Sequence, residues 1–185
     1  MSRRKIFGAL MGVFLIGVAF GILATLARPH MAENLFENLR QILGRGGDAL
    51  NDPFKMFTFI FLNNTRVALL SALGGFLFGI VPIGILFFNG FIVGVVVEHS
   101  YLNGVALSTL LLSIVPHGII EIPAFGVAGL GGIEWYLEII RGEGPMGERF
   151  RRGFLRAMKL FALSVAMLLL AAFVEAYITP KIAGI

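Results

Sequence analysis

The sequence predicts an all-α protein: a polytopic transmembrane helical bundle with five full crossings, a re-entrant or broken-helix segment, and a short amphipathic interfacial helix. Three observations carry this. Of the 185 residues, 57% are hydrophobic and only 14% charged, against roughly 25% charged in a soluble domain. The mean hydropathy is +0.88, which implies more apolar surface than one water-facing core of this size can hide. Between Arg66 and Glu134 the only formally charged side chains are Glu98 and Glu121. Lipid is therefore the expected solvent, and residues 1–185 form a single integral membrane domain.

The elements follow in order. Ile6 to Leu26 is an apolar run preceded by Arg3, Arg4 and Lys5 and closed by Arg28-Pro29. It has the roughly 20 residues a crossing needs and exceeds the ~7 to 15 of a signal-peptide core, so a retained anchor is expected. In the 28–54 connection, Glu33, Glu37, Arg40, Arg45, Asp48 and Asp52 interleave with Leu35, Phe36, Leu39, Ile42 and Leu43 at helical spacing. That pattern predicts an amphipathic helix in the extracytoplasmic interface, ended by Gly44, Gly46 and Gly47. Phe54 to Leu62 is too short to span and is expected to lie shallow or buried against other helices. Asn63-Asn64 then marks the entry to a crossing from Thr65 to Ile80. Pro82 and Gly84 supply a bend, Ile83 to Val97 returns, and Leu102 begins another crossing that ends near residue 118. The last apolar helix, Phe154 to Ile178, contains no glycine and is expected to be lipid-facing or peripheral.

Lysine and arginine avoid translocated loops. Arg3, Arg4 and Lys5 thus put the N-terminus in the cytoplasm of a multi-pass cell-membrane protein, and Arg141, Arg149, Arg151 and Arg152 put the basic 141–153 loop there too. After crossings at 6–26, 65–80, 83–97 and 102–118 the chain is already inside before Ile119. Segment 119–140 is therefore expected to enter and turn back, or to form half-helices. A six-crossing arrangement competes, because Glu143 and Glu148 dilute the basic loop and Arg40, Arg45 and Lys55 weaken the external placement of 28–54.

Composition also excludes. Without cysteine there is no disulfide framework, thiolate zinc site or cysteine nucleophile. The net charge of +4 comes from basic residues at the ends of apolar segments, with no aromatic-basic readout motif. The expected partner is the lipid bilayer and its anionic head groups, not nucleic acid. No nucleophile elbow, H-E-x-x-H or paired aspartate is present, so no enzyme is expected.

Helices in lipid pack closely where small residues let backbones approach. Ala68, Ala72, Gly75 and Gly79 share a stripe, and Gly8-Gly12, Gly17-Gly21 and Gly90-Gly94 are spaced four apart. Such G-x-x-x-G seams suit contacts within the chain or a homo-oligomer, a dimer first.

The segment richest in chemistry is Ser113-x-x-Pro116-His117-Gly118-x-x-Glu121-x-Pro123. On a continuous helix Ser113, His117 and Glu121 share one face, and the prolines free the carbonyls of Leu112 and Ile119. Ionisable groups inside a membrane face the bundle interior or a pathway. His117 and Glu121 either bond each other or another helix, or bind a cation such as a divalent metal ion; a hydrolase base at Glu121 is the least supported role. As no other cofactor is called for, further ligands would come from a symmetry mate, from Glu98-His99, or from Asn63, Asn64 or Asn89. Those asparagines, with Ser113, otherwise line a polar path or make interhelical contacts. Arg66 and Glu175 are read as snorkelling to the interface.

Asn63-Asn64 with Gly74-Gly75, Phe78-Gly79 and Pro82, then Asn89-Gly90-Phe91 with Gly94, then Pro116-His117-Gly118 with Glu121, Pro123-Ala124 and Ala128-Gly129 resemble the stage II sporulation protein M family over Phe54 to Ile178. The resemblance implies a multi-span membrane protein and no activity. In spore-forming bacteria the family is associated with engulfment, holding peptidoglycan-degrading partners at the septal membrane; similar chains occur in archaea. The leading expectation is a non-catalytic integral membrane protein that self-associates and organises membrane partners. The alternative is a small transporter or channel with a cation site at His117 and Glu121 between broken helices.

Overall fold

The structure, a computed structural model, describes residues 2–44 and 52–184. Its elements are α1 (Arg3–Ala27), α2 (Pro29–Gly44), α3 (Pro53–Gly74), α4 (Ile80–Leu102), α5 (Leu107–Arg141), α6 (Met146–Phe173), a π-helical turn (Val174–Ile178) and α7 (Thr179–Ala183). There is no strand among the described residues. Five helices are long and apolar enough to cross a membrane: α1, α3, α4, α5, and α6 continued to Ala183. The fold is the expected all-α membrane bundle, with the crossings divided differently along the chain.

The segment Phe54 to Leu62 does not lie shallow; it is the first half of α3. Asp52 caps the helix, its carboxylate accepting from the backbone N–H of Phe54 at 2.9 Å and Lys55 at 3.3 Å, with Pro53 in the first turn, where its missing N–H costs nothing. Asn63-Asn64 is therefore the midpoint of a crossing and not its entry. The helix ends at Gly74, and the chain reverses through residues 75–79. Phe78 and Gly79 hold φ of 57° and 74° there, a left-handed conformation that glycine adopts without strain. Pro82, expected at the bend, sits instead in the first turn of α4, where no intrahelical donor is lost.

The expected re-entrant or broken segment over 119–140 is also absent, because α5 runs unbroken for 35 residues with Pro116 and Pro123 inside it. The small residues that read as breakers are a packing surface. A side chain at Gly132 would collide with the backbone of Ala72 in α3 and of Gly75 just after it, and one at Gly131 would press on Ala157 of α6. Close approach on both sides packs this part of α5 between α3 and α6. At about 1.5 Å per residue, α5 is longer than the ~30 Å hydrocarbon core, so the α5–α6 hairpin reaches beyond it.

That hairpin end is laced by charge. Glu138 accepts from Arg152 Nε at 3.0 Å and Arg156 Nη1 at 2.8 Å, and Arg149 Nη1 donates to the Ile139 carbonyl at 2.8 Å. Arg3 forms a two-point pair with Glu134, so the start of α1 and the basic connection lie at one end of the bundle.

The final helix is not peripheral. Ala157, Ser164, Leu168, Ala171 and Ala172 of α6 are fully buried, and the Ser164 hydroxyl donates to the Ala124 carbonyl of α5 at 2.8 Å. Alanine and serine supply the smallness that a search for glycine overlooks.

Helices α1 and α4 run parallel, backbone against backbone. Gly17 and Gly21 face the carbonyls of Phe87 and Phe91, and Gly90 and Gly94 face those of Phe14 and Val18. Gly8 and Gly12 meet nothing within 4 Å. The amphipathic α2 follows α1 directly, and Phe36 packs on His99 at the end of α4. Its expected stop at Gly46-Gly47, with Arg45 and Asp48, lies outside the described residues.

Candidate cation site between three helices

Pro116 precedes His117 on α5, and Glu121 lies one helical turn further on, so both side chains leave the helix on one face. The π-helical turn presents Glu175 to that face: His117 Nε2 and Glu175 Oε2 are 4.0 Å apart. One ligand atom from each of His117, Glu121 and Glu175 lies within 4.8 Å of the others. From α3, Asn64, 9% exposed, meets the Glu121 carboxyl. An i→i+5 hydrogen-bonding pattern widens the helix and changes which way the following side chains point. The register in which Glu175 faces His117 is set within that widened turn.

Burial and pairing define what the cluster can do. The side chains of His117 and Glu175 keep 16% and 25% of their exposure, and His117 Nδ1 is buried with no hydrogen-bond partner. Among the described residues no lysine or arginine forms an ion pair with Glu121 or Glu175. Two carboxylates without a fixed counter-charge are costly in a low-dielectric interior. A proton or a mobile cation is the chemistry that relieves the cost. An imidazole nitrogen beside carboxylate oxygens suits cations of intermediate softness.

The other residues singled out in the sequence divide. Asn64 joins the cluster, whereas its neighbour Asn63 is exposed on the outer face of α3, its amide 3.4 Å from Asn64 Oδ1. Ser113 donates to the Thr109 carbonyl of its own helix at 2.8 Å, and Asn89 to that of Ile85 at 2.8 Å; such back-bonding satisfies a hydroxyl or amide locally. Glu98 and His99 lie in the last turn of α4, where the Asn103 amide is 3.3 Å from His99 Nε2. They do not belong to the His117 group.

Glu175 was the residue sequence reasoning missed. It does not snorkel to the interface but points into the bundle. One signal was available: it is the only acidic residue in the apolar run from Leu160 to Ile178, and an isolated carboxyl at membrane depth marks a site by default.

The stage II sporulation protein M family model matches residues 10–180, which extends the resemblance from the 54–178 region to the first crossing. An uncharacterized protein of Methanocaldococcus jannaschii is 36% identical over 132 residues, covering 69% of this chain and 72% of the relative. No solved structure matches. With the family pattern running from α1 into α7 and the apolar helices to accommodate it, this chain belongs to the stage II sporulation protein M family as a multi-pass membrane protein.

Proposed function

We propose that the protein is a non-catalytic membrane protein of the transporter or channel class, whose working centre is the cation site formed by His117, Glu121 and Glu175. One observation carries the reading: three ionisable side chains converge within 4.8 Å, opposite the midpoint of α3, without a lysine or arginine to neutralise them. Stability alone gives no reason to keep such a group, since apolar replacement of buried charge is often neutral or stabilising.

The arginines gathered with Arg3 at the hairpin end support a cytoplasmic N-terminus and an extracytoplasmic end of α7. The test is flux. Purified protein reconstituted into vesicles, with a gradient of protons or of a chosen metal ion, is expected to dissipate that gradient, and the His117→Ala and Glu121→Gln variants are expected to fail. Wild-type vesicles as tight as empty ones for both would overturn the reading.

A self-associating protein that organises membrane partners is favoured by a different observation. Asn63 and Arg66 are exposed on α3 near its midpoint, and Arg66 has no ion-pair partner among the described residues. Polar groups on a lipid-facing surface are expensive, and a second copy or a partner helix would cover them. Asn63→Cys is then expected to cross-link between copies in native membranes.

A further inference from the structure

We propose that His117, Glu121 and Glu175 together hold a single divalent transition-metal ion, with Asn64 positioning the Glu121 carboxylate. The proposal rests on the cation-site reading above and names its ligand class.

The first argument is charge. A neutral imidazole and two carboxylates around a divalent ion sum to zero. One such ion therefore removes the electrostatic cost of the cluster without any proton, whereas a monovalent ion does so only with one carboxyl protonated. The second is donor type. Magnesium and calcium take oxygen ligands, the latter six to eight of them. One nitrogen with two carboxylate oxygens is instead the mixed set that zinc, manganese, iron, cobalt or nickel accept.

The third argument is distance. Metal–nitrogen and metal–oxygen bonds of about 2.1 Å limit two donors on one ion to roughly 4.2 Å of each other. His117 Nε2 and Glu175 Oε2, at 4.0 Å, already satisfy that limit. Three donors on one ion must average closer still, so the group, bounded by 4.8 Å, has to draw in by about an ångström, within reach of side-chain rotations.

The architecture adds a fourth. The ligands come from two elements, α5 and the π-helical turn, and the carboxylate on α5 is backed by Asn64 from α3. Outer partners of this kind orient a ligand and tune its affinity. Three protein ligands leave positions open, which distinguishes an exchangeable site from a closed structural one.

The experiment uses the full chain in detergent, stripped of metal and titrated with Co²⁺, whose visible absorption reports nitrogen and oxygen ligation directly. One Co²⁺ per chain is expected, unaffected by excess Mg²⁺. Glu175→Gln and His117→Ala should each weaken binding more than about tenfold, with Asn64→Ala at about tenfold or somewhat above. Ser113→Ala, outside the group, should bind as the wild type. Should the ligand variants unfold, wild-type protein still decides: Co²⁺ must raise its melting temperature and Mg²⁺ must not. No saturable Co²⁺ binding, or binding equal in wild type and Glu175→Gln, overturns the assignment. Vesicles that pass protons or sodium through His117 and Glu121 without Co²⁺ binding would sink the divalent ligand and leave the cation-site reading intact. Stoichiometric binding with no flux of any ion would support the metal and remove the transport role.

Discussion

Arg3 grips Glu134 across 131 positions of sequence, its Nη2 2.8 Å from Oε2 while Nε holds Oε1. The pair joins the first turn of α1 to the hairpin end of α5, so both lie at one end of the bundle. Membrane-impermeant maleimide should therefore label Ser2→Cys and Gly147→Cys from the same side, and Ala183→Cys from the other. Modification of positions 2 and 147 from opposite faces would break this arrangement. The bond itself is exposed on the arginine side, so Glu134→Gln is expected to cost no more than about 1 kcal/mol.

Substitution at the α1–α4 seam separates packing glycines from idle ones. A side chain at Gly90 would meet the Phe14 carbonyl, whereas one at Gly12 meets nothing within 4 Å. Gly90→Leu is expected to destabilise by about 1–3 kcal/mol or more, as overpacking does, and Gly12→Leu by less than about 0.5 kcal/mol. Thermal unfolding in detergent measures both. Equal effects at the two positions would mean that α1 and α4 are not in backbone contact.

The buried hydroxyl of Ser164 spans α6 and α5 through the Ala124 carbonyl. Ser164→Ala keeps the small volume and removes the bond, for an expected loss of about 1 kcal/mol. Ser164→Leu keeps neither and should cost more. A neutral alanine variant would show that the carbonyl beside Pro123 needs no donor.

Removing a carboxylate from the cluster should move stability and affinity in opposite directions. Metal-free Glu175→Gln is expected to melt higher than wild type, because an uncompensated charge leaves the interior. Wild type should overtake it as Co²⁺ is added, gaining about 2.7 kcal/mol at a hundredfold excess over Kd. A Glu175→Gln protein less stable than the wild type without metal would mark the cluster as a structural lock.

Most of the fold was legible because lipid demands long apolar runs. Ile6 to Leu26 and the return toward Val97 stand out at any reading, and five long helices are found where five crossings were counted. The errors arose where one residue type serves two purposes. Proline reads as a break, yet Pro116 and Pro123 ride inside α5, as membrane helices tolerate. Glycine reads as a turn, yet Gly131 and Gly132 are contact points. Asp52-Pro53 was a legible helix start overshadowed by the shortness of the run that follows. At the site, His117 and Glu121 announced themselves by spacing within a single helix. Glu175 did not, because its orientation depends on a widened turn that no local residue pattern encodes.

The glycine pairs joining α1 to α4 also impose an order on biogenesis. Helix α1 has its seat on residues 80–102, which the ribosome delivers only after α2 and α3. Until then the groove at Gly17 and Gly21 stands open to lipid or to an insertase, and a stalled nascent chain ending in α3 would expose it. Completion of α4 is thus the moment when α1 gains its partner.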